Sequence, residues 1–366
     1  MKLFKVTILG LAVLISSAAK AQDFGTILAA GVDDANTYFE AYLAPGINSL
    51  ASGMAGGWNN TAKPHSTFGV DVTFSFNMAT VPEMDRVFSF SNLSMNTMQF
   101  NGSGDLPTLV GPSGSPGSLV IPANTTVQFE GQSITVENEA SFEAPGGIPF
   151  VENLPQIAIP APTLQIGIGL IKGTDLKIRL IPEQTFGADG DISLGLFGIG
   201  VLHDFKQWIP GFKAVPIDVS AFFGYTKFSA GMGVDVNQTS GDVSNGTTFS
   251  GSGNADFTAS ATTFQILASK KLAIFTPYIG FGLNAINSSL ALGGTYDYTV
   301  TATPPAGAPV VQAIEIIDPI DMEFSGAGGP RVTVGGRLKL AVLTIHVDYT
   351  VQKYSMLSAG LGLSFR

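Results

Sequence analysis

Six ionisable side chains in strand-like surroundings are the residues of this sequence best placed to do chemistry. Lys177 and Arg179 stand two apart just after the turn signal "IKGTD", Arg337 and Lys339 stand two apart just before the tight turn near Ala341, and His346 and Asp348 repeat the spacing. A separation of two puts both members of a pair on one face of a strand. Four cations gathered there would attract the carboxylate of an amphiphile, or would pair with acids such as Asp33, Asp34 and Glu40, since a buried charge requires a partner.

His346 and Asp348 have the spacing of a hydrolase dyad. A nucleophilic serine needs such a base within hydrogen-bond reach, but the chain has only three histidines, His65, His203 and His346, and no Gly-x-Ser-x-Gly elbow. A lipid hydrolase is therefore the remote reading, and the chain reads as no enzyme. Without cysteine, and with histidines so scattered, no metal site is expected. "GIGLIKG" lacks the helix that follows a dinucleotide loop, so no cofactor is expected; its Gly167 and Gly169 read as lumen-facing space or strand curvature.

The elements that must position these residues have a period of two. In "FGVDVTFSFNM", Phe68, Val70, Val72, Phe74, Phe76 and Met78 alternate with Gly69, Asp71, Thr73, Ser75 and Asn77. The pattern recurs at Leu164–Leu170, at Leu176, Ile178 and Leu180, at Val332, Val334 and Leu338, at Leu343–Val351 and at Leu357–Phe365, and each apolar face is free of charge. The opposite face is largely Gly, Ser, Thr, Gln and Asn, groups that suit a crowded interior better than a free surface. Only 13% of residues are charged, against roughly 25% in soluble domains. A soluble β-sandwich is the alternative, but hydrocarbon is the better partner for these apolar faces, and strands in lipid must close on themselves to pair every backbone group.

The N-terminus supports export. Lys2 and Lys5 precede "VTILGLAVLI" and then "SSAAKA", the three parts of a signal peptide cleaved after Ala21. Cleavage removes three of 18 basic residues against 28 acidic ones and takes the net charge from −10 to −13. So acidic a chain repels nucleic acid. The longest later apolar run is broken by Pro155, Pro160 and Pro162, so no helix of the ~20 residues needed for a membrane span is expected. Compact turns at "IKGTD", "ASKKLA" and "KLAVL" alternate with long segments at 101–124, 231–255 and 301–330, the loop asymmetry of outer-membrane barrels. Tyr278, Tyr349, Tyr354 and Trp208 are candidates for interfacial girdles, "HDFKQWIPGFKAVP" reads as an interfacial anchor, and Phe365 ends a final strand suited to barrel assembly machinery. The expectation is an all-β, closed antiparallel transmembrane barrel, a monomer in the outer membrane of a Gram-negative bacterium, with outer-membrane lipid as its surroundings.

Residues 22–65 precede the first strand and are not strand-like. Asp33 or Asp34 can cap a helix with Tyr38, Phe39, Tyr42 and Leu43 on one face; Pro45 and Gly46 end it, and a second short helix follows through Ile47, Leu50 and Met54. The irregular "GGWNNTAKPH" comes next.

With its pattern Gly57, Trp58, Asn60, Thr61, Ala62, Lys63, Pro64 and His65, and with "HDFKQWIPG" (His203 to Gly211), the chain resembles the FadL-type outer-membrane family, in particular a Bacteroidota branch. The family's Asn-Pro-Ala hatch motif corresponds to Asn60, Thr61 and Ala62 here, without the proline. The resemblance implies a barrel of about fourteen strands, the alternation alone marks about twelve, and such barrels are usually even in number. It also implies that residues 22–65 plug the lumen and that hydrophobic or amphiphilic small molecules are bound or transported. Tyr38, Phe39, Tyr42 and Trp58 would then offer a non-aqueous path. A type IX secretion-related shuttle or assembly barrel is the alternative function.

Overall fold

The computed structural model describes residues 31–129, 132–154, 157–186, 192–212, 215–241, 246–302, 310–325 and 327–365. The expected leader and residues 22–30 lie outside the described residues.

Alternation becomes strand throughout. After helix α1 (Val32–Met54), strand β1 (Val70–Thr80) leads into an excursion carrying β2 (Val87–Phe88), β3 (Gln99–Gly102), β4 (Leu106–Pro107), β5 (Gly117–Phe129), β6 (Gln132–Glu143) and the short helix α2 (Pro149–Glu152). The chain returns in β7 (Ala158–Leu170), β8 (Thr174–Phe186), β9 (Ile192–Asp204), β10 (Asp218–Gly241), β11 (Gly246–Ser269) and β12 (Phe275–Ala302). Then come β13 (Val310–Ile317), β14 (Ile320–Ser325), β15 (Gly329–Leu340), β16 (Leu343–Val351) and β17 (Met356–Phe365).

Strand β1 pairs with β7 on one side and with β17 on the other, Val70 facing Ile168 and Phe365, so the sheet has no edge at its seam. Ten antiparallel strands, β1, β7 to β12 and β15 to β17, form the ring. The expected fourteen or twelve strands are thus corrected. The excursion from β1 to β7 builds separate small sheets instead of adding staves, and the segments read as loops at 231–255 and 301–330 are largely strand. β10 and β11 pair in unbroken register from Asp218 to Gly241, while β13 and β14 pair onto β12. A ladder outside hydrocarbon needs no continuous apolar face, so its Gly, Ser and Thr rows carried no apolar signal. At about 3.3 Å per residue, the 28 residues of β12 span far more than the 9–11 residues that cross a bilayer.

Burial is inverted relative to a soluble barrel. Val72, Phe74 and Phe76 are 38–39% exposed, whereas Asp71, Thr73, Ser75 and Asn77 are buried inside. Every strand of the ring presents at least one large exposed apolar side chain outward, from Phe74 on β1 to Leu361 on β17.

Helix α1 packs against the inner faces of β1, β7, β11 and β12 and against β14. It is one helix, not two, and Pro45 lies inside it. Proline removes one helical hydrogen bond and crowds the preceding turn; here both halves are clasped by surrounding sheet and loops, with Pro45 and Gly46 buried, and the helix continues. Its N-cap is Gly31 without a side-chain bond, so neither Asp33 nor Asp34 caps it.

Candidate functional site: the cationic lumen and the segment within it

Helix α1 starts among the long connections and ends in the middle of the ring, where its last carbonyls need partners. The helix supplies no basic residue in its last turn; the wall supplies them. Arg179 on β8 donates from Nη1 to Met54 O at 2.9 Å, from Nη2 to Gly56 O at 2.6 Å and from Nε to Gln165 Oε1 at 3.2 Å. Arg331 on β15 donates to Ala55 O at 3.2 Å, to Asn284 Oδ1 at 3.1 Å and to Thr350 Oγ1 at 3.4 Å. Cations at a helix C-terminus are favoured by the macrodipole.

Below this belt the chain threads toward the short turns. Trp58 lies under Arg179, whose guanidinium carbon is 3.7 Å from the ring centroid, and its ring is 5.3 Å from that of Phe222. A Cβ at Gly198, Gly200 or Gly224 would come within 3.0–3.2 Å of the indole, so glycines on β9 and β10 form its slot. Lys177 donates to Trp58 O and to Asn59 Oδ1, both at 2.8 Å, and Arg337 donates to Asn60 Oδ1 at 3.2 Å. Thr61 Oγ1 lies 3.2 Å from Ser269 Oγ, which also accepts Ala62 N–H at 3.0 Å, and Ser220 donates to Ala62 O. Lys63 is exposed, Pro64 half-buried.

His65 closes the segment between two strands. Its Nδ1 is 2.9 Å from Asp175 Oδ2 on β8, its backbone N–H donates to Asp175 Oδ1 at 2.8 Å, and its Nε2 is 3.6 Å from Asp71 Oδ1 on β1. Ser364 Oγ lies 3.5 Å from the same Nε2 but takes a 2.9 Å hydrogen bond from Lys339 Nζ. With a carboxylate facing each ring nitrogen, the imidazole serves as a clasp between strands. Two cavities of about 10 Å³, each about one water in size, remain near this level: one beside His65, Asp71, Lys177 and Arg337, the other beside Trp58, Asn59, Arg331 and Asp348.

At the other end of α1, Tyr38, Phe39 and Tyr42 are buried with Leu106, Leu109, Val110, Leu119, Ile148 and Val151 of the excursion. Burial pushes the Tyr42 hydroxyl up to about 12 and that of Tyr38 higher still. Asp34 accepts hydrogen bonds from the backbone N–H of Asn96, Thr97 and Met98 at 2.7–2.8 Å and from Thr97 Oγ1 at 3.0 Å. Burial alone would raise its carboxyl; these donors outweigh it and hold the group below the usual carboxylate range.

The structure therefore brings Lys177, Arg179 and Arg337 to the inner segment, and Lys339 to its floor. It does not pair them with Asp33, Asp34 or Glu40; their principal partners are neutral oxygens. His346 and Asp348 do not bond to each other. His346 Nε2 is 3.5 Å from Ser75 Oγ, and Asp348 accepts from Tyr278 OH at 2.9 Å. Tyr278 and Tyr354, expected in a girdle, are buried, the latter donating to Asp85 at 2.8 Å, whereas Tyr349 and Trp208 are exposed. Tyr278 has the parity of lumenal Thr276 and Gly280, which was a sufficient signal. Arg331 and Asp175 were also missed, although Arg331 has the parity of Arg337.

No curated protein matches the chain. Among solved structures, similarity extends to the translocator domain of the autotransporter NalP from Neisseria meningitidis (10% identity, 87% of this chain and 92% of that one, TM-score 0.27). It extends also to the monoaromatic hydrocarbon channel CymD (7%, 88% and 98%, 0.22) and to the Pseudomonas putida toluene transporter TodX (9%, 87% and 97%, 0.20). Likenesses this faint transfer no function. Family membership is plain: residues 1–365 match one family model, and the chain belongs to the Family of unknown function (DUF6588).

Proposed function

We propose that this protein is a monomeric outer-membrane barrel, exported by a cleaved leader, in which residues 32–65 plug the lumen and which binds or passes amphiphilic molecules with an anionic head. The membrane reading follows from the inverted burial: apolar side chains on all ten strands face outward, and a polar, charged interior faces in. The ligand reading is carried by Arg179 and Arg331. Both are buried, and among the described residues neither has a carboxylate within 4.0 Å; they bind backbone carbonyls and amide or hydroxyl oxygens. The guanidinium–carbonyl bonds are assisted by one charge, whereas a carboxylate or phosphate adds a second charge and bidentate geometry, so an anionic head competes for these guanidinium groups with the plug's own carbonyls. Lys177, Arg337 and Lys339 continue the cationic track below, and the cluster around Tyr38, Phe39 and Tyr42 suits an apolar tail.

The test is mass spectrometry of organic extracts from gently purified protein, with uptake of a fluorescent fatty acid into proteoliposomes. An anionic amphiphile recovered from wild type and lost from Arg179→Met/Arg331→Met supports the proposal. Ligand-free protein whose uptake equals that of empty liposomes counts against it.

The 24- to 28-residue strands β10, β11 and β12, which extend well past any bilayer, favour a second reading as a secretion-related shuttle holding protein cargo. Protein partners in a pull-down, with no extractable lipid, would select it.

A further inference from the structure

The short-turn end of the ring has a second arrangement that the lumen does not use. Five connections occur there at every second strand: the entry to β1 beside the end of β17, and the turns β7–β8, β9–β10, β11–β12 and β15–β16. Each shows at least one large apolar side chain: Phe68, Ile171, Trp208, Leu272 with Ile274, and Val342, between 44% and 77% exposed.

These tips are held outward. Phe68 N–H donates to Gly169 O at 2.8 Å, Asp204 N–H to Gly173 O at 2.8 Å, Lys339 N–H to Ile274 O at 2.9 Å and Ser364 N–H to Val342 O at 2.7 Å, so each connection is fastened to a neighbour. Trp208 Nε1 donates to His203 Nε2 at 2.9 Å, and Gln207 donates to Lys172 O at 2.6 Å, tying two of the turns together. The backbone of the tips is thereby fixed with these side chains exposed.

Lysines gather at this end of the barrel axis, although exposed Lys227 lies partway along β10 and exposed Lys353 at the far end. Exposed Lys172, Lys270 and Lys271 lie on this rim. At the opposite end, the outer face of β10 to β14 shows Asp235, Asp256, Asp297, Glu315, Asp321 and Glu323, all exposed. A docked protein covers one patch, whereas an apolar ring around the whole perimeter is covered by a surrounding leaflet.

We infer that this rim binds anionic glycerophospholipid of the leaflet around the short turns, its apolar tips among the first acyl carbons and Lys172, Lys270 and Lys271 on the headgroup phosphates. The inference rests on the membrane reading above. Juxtamembrane lysines each favour an anionic surface by a few-fold, so three together predict a preference of about a hundredfold. Native mass spectrometry of detergent-purified protein given equal phosphatidylglycerol and phosphatidylcholine measures it. The expected result is retention of phosphatidylglycerol by wild type and by Asp297→Asn/Glu315→Gln, and loss of the preference in Lys172→Gln/Lys270→Gln/Lys271→Gln, with the heat-modifiable gel shift of a folded barrel unchanged in all three. Wild type retaining both lipids equally overturns the rim site and leaves the membrane reading intact. Protein folded in buffer without detergent overturns the membrane reading itself.

Discussion

Arg179 lies 3.7 Å above the ring of Trp58 while two of its nitrogens hold Met54 O and Gly56 O. One wall side chain thus grips the inner segment by its helix end, by its backbone and by its one tryptophan. Cation–π contacts of desolvated groups contribute about 2 kcal/mol, and stranding a buried carbonyl costs about 1–3 kcal/mol.

Removing that grip should loosen the segment without opening the ring. Arg179→Ala, and Arg331→Ala independently, are expected to raise ion conductance in planar bilayers at least several-fold over the wild-type trace. An unchanged trace in the double variant would show that the segment is held elsewhere.

The glycine slot makes a sharper test of the same contact. A Cβ at Gly200 would stand 2.9 Å from Phe222 and 3.0 Å from Trp58, and overpacking typically costs about 1–3 kcal/mol. In a Trp208→Phe background, where Trp58 is the remaining tryptophan, Gly200→Val should shift emission to the red and increase acrylamide quenching.

Asp34 makes the outer attachment sensitive to acid. Its folded carboxyl lies below the ordinary value, so its contribution is complete above the unfolded value near 3.9 and is lost as pH falls through the depressed folded one. Hydrogen exchange at residues 96–98 should therefore be slow at pH 6 and accelerate under stronger acid, beyond the intrinsic rate change. Asp34→Asn should exchange fast at both pH values.

The lipid-facing belt is tested at mid-strand. Phe74 and Leu361 face each other across β1 and β17, both outward. Leu361→Arg should cost about 2–4 kcal/mol in urea unfolding from liposomes, the price of a charge at mid-bilayer. The neighbouring outward substitution Phe365→Arg, at the rim, should cost about 0–1 kcal/mol.

The period of two was enough to give the sheet, its closure and the side on which each cation lies. Lys177, Arg179, Arg337 and Lys339 took their face from parity alone, because alternation is a local property of an extended chain. Parity also places Tyr278 with Thr276 and Gly280, and Arg331 with Thr333 and Arg337. What those side chains touch was not local. Arg179 and Met54 are 125 residues apart, Arg331 and Ala55 276. No spacing says that a guanidinium will meet a helix's last carbonyls and not an acid in its first turn.

The number of staves and the fate of Pro45 were likewise tertiary decisions. Apolar alternation marks only the part of a strand that meets hydrocarbon, so the upper halves of β10 and β11 read as loop, and the strand count implied by the family resemblance was too high. Pro45 weakens a helix by its own chemistry, but a closed sheet around it leaves the chain no room to turn. The sequence by itself determined which medium each face meets; the folded ring decided which groups, far apart in the chain, would satisfy one another inside it.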